Sequence, residues 1–220
     1  MASPYLAPGF YEEAIAKGRH RDIVGGRWGE TGRAQMAALI ATGMTPQDHL
    51  LDIGCGALRL GHLAVPYLDP GHYWGTDASL DLMRHGRAVE LDDPDRLPLS
   101  QLIEDTDFAF PGIPDQISLA IAWGVFTHLP ITAIEAALPS VAQRLPRLKA
   151  FLFTVFLAPD SSFANPYRQA DGVVTHPDRA PRHIRPEDVA RLCAAAGLIA
   201  EQCPDRLPRG QVLFRARRAA

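Results

Sequence analysis

Residues 50–56, with the sequence Leu-Leu-Asp-Ile-Gly-Cys-Gly, constrain the fold of this chain more than any other stretch. Four residues typical of a buried strand lead directly into two glycines spaced by one, and a segment with helical periodicity follows. A strand, a tight turn and a helix N-terminus in this order form a nucleotide-binding unit in which backbone N–H groups face an anionic ligand. We therefore expect a ligand site at Gly54, Cys55 and Gly56.

Strand-like and helix-like segments alternate along the rest of the chain. The patterns predict strands at 50–53, 72–77, 99–103, 116–123 and 150–157, a closing antiparallel pair near 198–202 and 211–215, and helices near 11–17, 33–42, 57–65, 79–91, 130–138 and 186–196. Such alternation predicts an α/β fold with a mostly parallel seven-stranded sheet, helices on both faces and an antiparallel C-terminal strand. Ligands of these sheets bind at the C-terminal ends of the strands.

Composition and charge limit the class of protein. The 220 residues are 47% apolar and 21% charged, with a net charge of −3, so we expect one domain over 1–220 and no nucleic-acid partner. The three cysteines are widely spaced, which argues against disulfides and structural zinc, and we expect no metal. The chain begins without a signal-peptide pattern and has no apolar run of membrane-spanning length. We therefore expect a cytoplasmic protein without a membrane partner; the oligomeric state stays open.

Two regions lack a clear pattern. Residues 1–45 contain two helical segments joined by a glycine-rich loop at 20–32, and we interpret them as an N-terminal helical cap. Residues 158–184 are rich in Pro, Asp, Asn and His and have no periodicity. Long irregular segments in compact domains are usually functional, and we interpret this one as a lid loop.

The residues after the glycine turn bear on which nucleotide is bound. A dinucleotide fingerprint has a third glycine where this chain has Arg59, which argues against NAD. Asp77 ends the second predicted strand, 21 residues after Gly56, where a carboxylate can accept hydrogen bonds from both ribose hydroxyls. This spacing indicates a ligand that contains adenosine.

With these motifs the chain resembles the class I S-adenosylmethionine (SAM) dependent methyltransferases. Residues 51–56 resemble the first motif of that family, 75–77 the second and 115–129 the fourth. The leader His20-Arg21-x-x-Val24-Gly25-Gly26-x-Trp28, the segment Leu58-Arg59-x-Gly61 and the segment 125–129 resemble a bacterial subgroup. Two positions depart from the pattern: Leu58 stands where many members have glycine, and Gly124 where the subgroup more often has serine.

The resemblance implies a Rossmann-like methyltransferase fold and SAM as the cofactor. By position, the turn glycines approach the methionine part of SAM, Asp77 holds the ribose and Asp52 supports the turn. The predicted cofactor contacts are Arg21, Trp28, Asp52, Gly54, Cys55, Gly56, Asp77, Ala78, Ser79, Asp105 and Trp123. His128, after the fourth strand, is the candidate catalytic residue, because it could deprotonate or orient an acceptor there.

The implied reaction is in-line transfer of a methyl group to a small molecule. Two alternatives stay open at this stage. Some proteins of the same fold cyclise SAM to a strained cyclic amino acid and release methylthioadenosine. A reductase that binds NAD is the third candidate, although Arg59 argues against it.

Overall fold

The computed structural model describes residues 9–204 and 207–219, and its centre is a twisted sheet. Residues 1–8 of the predicted cap lie outside this part of the chain. The strands are β1 (Leu50–Ile53), β2 (Tyr73–Asp77), β3 (Leu102–Glu104), β4 (Leu119–Ala122), β5 (Ala150–Leu157), β6 (Tyr167–Arg168), β7 (Val174–Thr175), β8 (His183–Ile184), β9 (Leu198–Gln202) and β10 (Val212–Arg218). The order across the main path is β3-β2-β1-β4-β5-β10-β9.

The strand directions confirm the predicted topology. Strands β1 to β5 pair in parallel, whereas β10 runs antiparallel to both β5 and β9. An eighth strand, β8, was not predicted; it pairs in parallel with the last residues of β5. The order of the strands reverses direction at β1 and β4, so the sheet has its topological switch point between them.

Helices cover both faces of the sheet. They are α1 (Phe10–Ala16), α2 (His20–Ile23), α3 (Trp28–Ala41), α4 (Gly61–Tyr67), α5 (Leu80–Glu90), α6 (Ile131–Arg144) and α7 (Pro186–Ala195). Alternate residues of a strand point to opposite faces, so Leu51 and Ile53 pack in the core with α6 and α7, while Leu50 packs in the core with α3, α4 and α5. None of the helices described is long and apolar enough to cross a bilayer.

Three local predictions were wrong. The glycine-rich segment 20–32 is mostly helical, because α2 lies within it and α3 begins at Trp28. Gly32 lies in α3, where a Cβ would be only 2.8 Å from the Arg59 carbonyl oxygen, so its absence of a side chain allows close packing. Residues 99–101 form a 3₁₀ turn ahead of a shorter β3, and the irregular segment 158–184 contains the β6–β7 hairpin and β8.

A close approach between α5 and the glycine turn fixes the geometry beside β1. Gly86 in α5 packs directly on the backbone of the turn, where a Cβ would lie 2.4 Å from the Ala57 carbonyl oxygen. No flexible side chain lies between the two segments, so a side chain at position 86 could be accommodated only by a shift of the backbone. Gly86 therefore sets how closely α5 can approach the turn.

We predict that Gly86→Ala lowers the free energy of unfolding by about 2 kcal/mol, because overpacking against backbone outweighs the higher helix propensity of alanine. Urea denaturation would measure this change. Gly29→Ala in α3 is the matched control. A Cβ there would meet only the flexible guanidinium of Arg33, at 3.1 Å, and we expect stability to rise by about 0.5–1 kcal/mol. Equal effects of the two substitutions would contradict the packing argument.

Candidate active site

A pocket opens at the C-terminal ends of β1, β2 and β4, the edge at which the sequence predicted a ligand site. Its wall includes nine of the predicted site residues: Asp52, Gly54, Cys55, Gly56, Asp77, Ala78, Asp105, Trp123 and His128. Residues from α1 to α3, among them Tyr11, Val24 and Gln35, close one side. The loop before β10 closes another side with Pro208 and Arg209.

The glycine turn is tied to the end of β2 by its own backbone. The N–H groups of Gly54 and Cys55 donate to the Thr76 carbonyl oxygen at 2.7 and 3.0 Å, and the Gly56 N–H donates to Asp77 Oδ2 at 2.9 Å. Helix α4 begins only at Gly61. The expectation of free N–H groups at a helix N-terminus was therefore wrong, because β2 already accepts these hydrogen bonds.

Both turn glycines are required, because their backbone conformation disfavours side chains and because a side chain at either position would clash. Gly54 and Gly56 have φ values of 71° and 54°, in the left-handed region that disfavours side chains. A Cβ on Gly54 would lie 2.4 Å from Val125 Cγ2, and one on Gly56 would lie 2.6 Å from Val24 Cγ1. The turn therefore brings the β4–α6 loop and the N-terminal segment into direct contact with the backbone of the pocket floor.

Asp77 presents a carboxylate to the pocket beside this turn. Besides the Gly56 N–H, the Ser79 N–H donates to it at 3.2 Å. Burial raises its pKa to about 6, although the amide hydrogen bonds favour the charged form. A carboxylate has about four acceptor positions, so capacity for further donors is left. Its placement fits a group that binds two neighbouring hydroxyls.

Asp52 is the second carboxylate in the wall, and it is only 2% exposed. The Tyr73 hydroxyl donates to Asp52 Oδ2 at 2.8 Å. Burial raises the pKa of Asp52 to about 7, while the Tyr73 hydrogen bond and the positive charge of Arg59 oppose this rise. A cation bound beside it would favour the ionised form.

Cys55 contributes its backbone to the pocket wall and not a reactive thiol. Its side chain is buried against β2, with the sulfur 2.8 Å from the position that a Cβ on Gly75 would occupy. Burial raises the pKa of the thiol well above its ordinary value, so it stays protonated. This environment does not suit a nucleophile.

Three predicted cofactor contacts do not line the pocket. Arg21 forms a bidentate ion pair with Glu90 at the end of α5, with both distances 2.7 Å, and its guanidinium lies 5.1 Å from the centre of the Trp28 ring. Trp28 also stacks on His62, with ring centres 5.6 Å apart. Ser79 caps α5 by accepting a hydrogen bond from the Leu82 N–H at 3.1 Å. These side chains have structural partners instead.

Asp105 shapes the wall through its own loop. Its carboxylate accepts hydrogen bonds from the N–H groups of Asp107 and Ala109, both at 3.2 Å, and of Phe110 at 2.9 Å. Phe108 lies within this loop, with a positive φ of 61°, and reaches the pocket wall. Asp105 therefore stabilises the loop that presents an aromatic ring to the pocket.

His128 and Trp123 lie at the end of β4. Trp123 is 6% exposed and packs in the core while contributing to the pocket wall. Burial and, to a smaller extent, the positive charge of Arg209 together lower the pKa of His128 to about 4. The imidazole is therefore neutral at physiological pH and can accept a proton or a hydrogen bond.

Sequence reasoning missed several polar residues of the wall. Arg59 lines the pocket and donates from Nη1 to the Val24 carbonyl oxygen at 2.6 Å, and from Nε to Gln35 Oε1 at 3.4 Å. Its position directly after the glycine turn could have indicated a site residue, but that position was interpreted only as a missing third glycine. Arg209 and Gln211 also line the pocket, but they follow a proline turn that carries no functional pattern.

No metal centre accompanies the pocket in the described ranges, where no group of three or more His, Cys, Asp or Glu side chains is arranged to hold an ion. The polar groups of the wall include three carboxylates, two guanidinium groups, an imidazole, two amides and the hydroxyls of one tyrosine and three threonines. This set can bind a zwitterionic organic molecule without a metal.

Known proteins of similar structure agree with the fold described above. No protein-family model matches the sequence. Among solved structures, magnesium protoporphyrin IX methyltransferase from Synechocystis PCC 6803 with bound SAH superposes with a TM-score of 0.63, at 17% identity over 95% of this chain and 96% of that one. The SAM-bound amino pentose methyltransferase CalS10 from Micromonospora echinaspora gives 0.60, at 16% identity over 94% and 96%.

A SAM-dependent methyltransferase from Clostridium acetobutylicum gives a TM-score of 0.61, at 12% identity over 96% of this chain and 99% of that one. These similarities cover nearly the whole length of both chains. The chain has the Rossmann-like fold of the class I SAM-dependent methyltransferases.

Proposed function

We propose that this protein is a SAM-dependent methyltransferase that transfers a methyl group to a small-molecule acceptor by in-line displacement. The observation that carries the proposal is the pairing of Asp77 with the glycine turn in one pocket wall, at the topological switch of the sheet. Solved structures with bound SAM or SAH share this fold and support the proposal.

Different parts of the pocket wall suit the two ends of the cofactor. The carboxylate of Asp77 would accept hydrogen bonds from the ribose hydroxyls, and the apolar side chains of Ala78, Leu82 and Phe108 would flank the adenine. Asp52 would bind the ammonium of the methionine part. Arg59 would bind its carboxylate, since the turn amides are already partnered.

The protein would contribute mainly alignment and exclusion of water. SAM, when bound, supplies a methyl group on a sulfonium that is a good leaving group. Trp123 and the side chains of α1 to α3 would shield the reacting centre, and fixing two reactants in line can lower a barrier by up to about 7–11 kcal/mol. His128, which is neutral, would orient the nucleophile of the acceptor by accepting a hydrogen bond from it.

Calorimetric titration with SAM and with S-adenosylhomocysteine (SAH) tests the proposal. We expect one site per chain, and we expect Asp77→Asn to weaken SAH binding by about tenfold or more, because the neutral amide loses charge-assisted hydrogen bonds. Asp81→Asn is the matched control, since Asp81 is exposed in the first turn of α5, where its side chain forms only an exposed ion pair. Absence of SAH binding by the native protein would refute the proposal.

The products distinguish methyl transfer from the other reactions of SAM. Native protein incubated with SAM alone should leave it unchanged when the mixture is analysed by mass spectrometry. Methylthioadenosine formed without an acceptor would instead indicate cyclisation of SAM. Saturable binding of NADH with displacement by SAH would favour a nicotinamide cofactor.

The raised pKa of Asp77 predicts that SAH binding depends on pH. Below pH 6 the free protein carries a protonated Asp77, and ribose hydroxyls bind the ionised form better, so binding must release a proton. The contribution of Asp77 to the affinity should be constant above about pH 7 and fall by up to about tenfold per pH unit well below the pKa, whereas Asp52, whose pKa is raised to about 7, adds a separate dependence near that pH. Calorimetry from pH 5 to pH 8 would show this, and Asp77→Asn should lack the component centred near pH 6. An identical Kd at both limits would contradict it.

The environment of His128 gives a second pH prediction. We expect NMR titration of the imidazole to show a pKa near 4, assigned through loss of the signal in His128→Gln. Arg209→Gln should raise this value, because a neighbouring positive charge is removed. An unshifted pKa in the native protein, near that of an exposed histidine, would show that His128 is not buried against Arg209.

A further inference from the structure

The pocket extends beyond the part that the proposed function assigns to the cofactor. Along the sheet edge its wall runs from Asp105 after β3, through Asp77 and Gly54 at the ends of β2 and β1, to His128 after β4 and Gln211 before β10. The adenosine and methionine contacts use the β3, β2 and β1 end. At the β4 and β10 end the proposed function assigns only the nucleophile of the acceptor, beside His128, and the rest of that end is unassigned.

Arg209 places a positive charge at this unassigned end. Its backbone is in the left-handed region, with φ of 67°, in the loop between β9 and β10. The guanidinium extends to the N-terminal segment, where Nη2 lies 3.8 Å from the position that a Cβ on Gly26 would occupy. In the described part of the chain no carboxylate forms an ion pair with it, whereas Arg21, outside the pocket, pairs with Glu90.

Gln211, two residues after Arg209, adds an amide to the same wall. Its Oε1 is buried and has no hydrogen-bond partner among the described residues, although the side chain lines the pocket. Leaving such an acceptor unpaired is unfavourable, so a donor from a bound molecule or from water would be favourable there.

The space beside Gln211 is open because residue 124 is glycine. The Gly124 φ is 77°, and a Cβ built there would meet only Gln211 Nε2, at 4.0 Å, among the described atoms. Apolar side chains of Leu129, Pro208 and Trp123 complete this end of the wall. The combination of an apolar wall with one cation and one amide is typical of a site for a small organic molecule.

We propose that Arg209 and Gln211 form the acceptor subsite, and that the acceptor is a small carboxylic acid whose carboxylate binds Arg209 and whose N–H or O–H group donates to Gln211. This inference rests on the proposed function. Guanidinium groups bind carboxylates through two parallel hydrogen bonds, which orients the molecule as well as attracting it. The same arrangement brings the acceptor beside His128, on which the charge of Arg209 already acts.

Binding of an anionic probe and its neutral isostere tests the subsite. The probes are 4-hydroxybenzoate and 4-hydroxybenzamide, titrated by calorimetry into the protein saturated with SAH. We expect 4-hydroxybenzoate to bind more tightly than the amide, and Arg209→Gln to weaken the acid by about tenfold while changing the amide less than twofold. Arg209→Lys should retain part of the preference for the acid. Affinity for the acid should also fall with added salt.

Arg59→Gln is the matched variant for the other guanidinium of the wall. It should weaken SAH but leave methylthioadenosine, which lacks the amino-acid part, nearly unchanged. Arg209→Gln should leave both within twofold of the native protein. Circular dichroism of each variant would verify that it is folded.

The contrary outcomes separate the two proposals. Failure of the native protein to bind SAH refutes the proposed function. If SAH binds but the acid binds no better than the amide, or equally to native protein and Arg209→Gln, the subsite proposal is overturned alone. If Arg209→Gln weakens SAH but not methylthioadenosine, Arg209 binds the carboxylate of the cofactor, and the subsite proposal is again overturned.

Discussion

The hydrogen bonds between the glycine turn and the end of β2 determine most of what the pocket can do. Three consecutive amides, those of Gly54, Cys55 and Gly56, donate to Thr76 and Asp77. The bonds fix the Asp77 carboxylate beside the turn, and they use the backbone donors that would otherwise face a ligand. Since buried backbone donors are almost always paired, the turn is stable without a ligand, and the pocket is largely formed in advance.

This arrangement also decides how charge is distributed around the pocket. The floor supplies Asp52 and Asp77, both of which burial makes harder to ionise, and the amides of Gly54, Cys55 and Gly56 already donate to β2. Positive charge comes from side chains instead, with Arg59 next to the turn and Arg209 before β10. A zwitterion therefore meets fixed carboxylates along β1 and β2, and guanidinium groups at either side of β4.

Local sequence predicted the parts of the site that depend on neighbouring residues. The β1 turn and the end of β2 are each continuous segments, so local sequence could place them. The mostly parallel sheet follows from the alternation of strands and helices, and this prediction was confirmed. Contacts between distant residues could not be predicted in this way: Arg21 and Glu90 are 69 residues apart, and Arg209 reaches Gly26 only because β10 returns beside β5. Strands β6, β7 and β8 have two residues each, too few to show periodicity.

Residues of the N-terminal leader make structural contacts that differ from the cofactor contacts predicted from the sequence. His20 and Arg21 both bind the buried Glu90 carboxylate, whose pKa lies below its usual range because these hydrogen bonds outweigh the effect of burial. Val24 packs on Gly56 and accepts a hydrogen bond from Arg59. The leader therefore binds α5 through His20 and Arg21 and contacts the glycine turn through Val24. Gly86 lets α5 pack on that same turn, so the leader and α5 both contact its backbone, and the wall of the pocket is positioned by packing and ion pairs outside it.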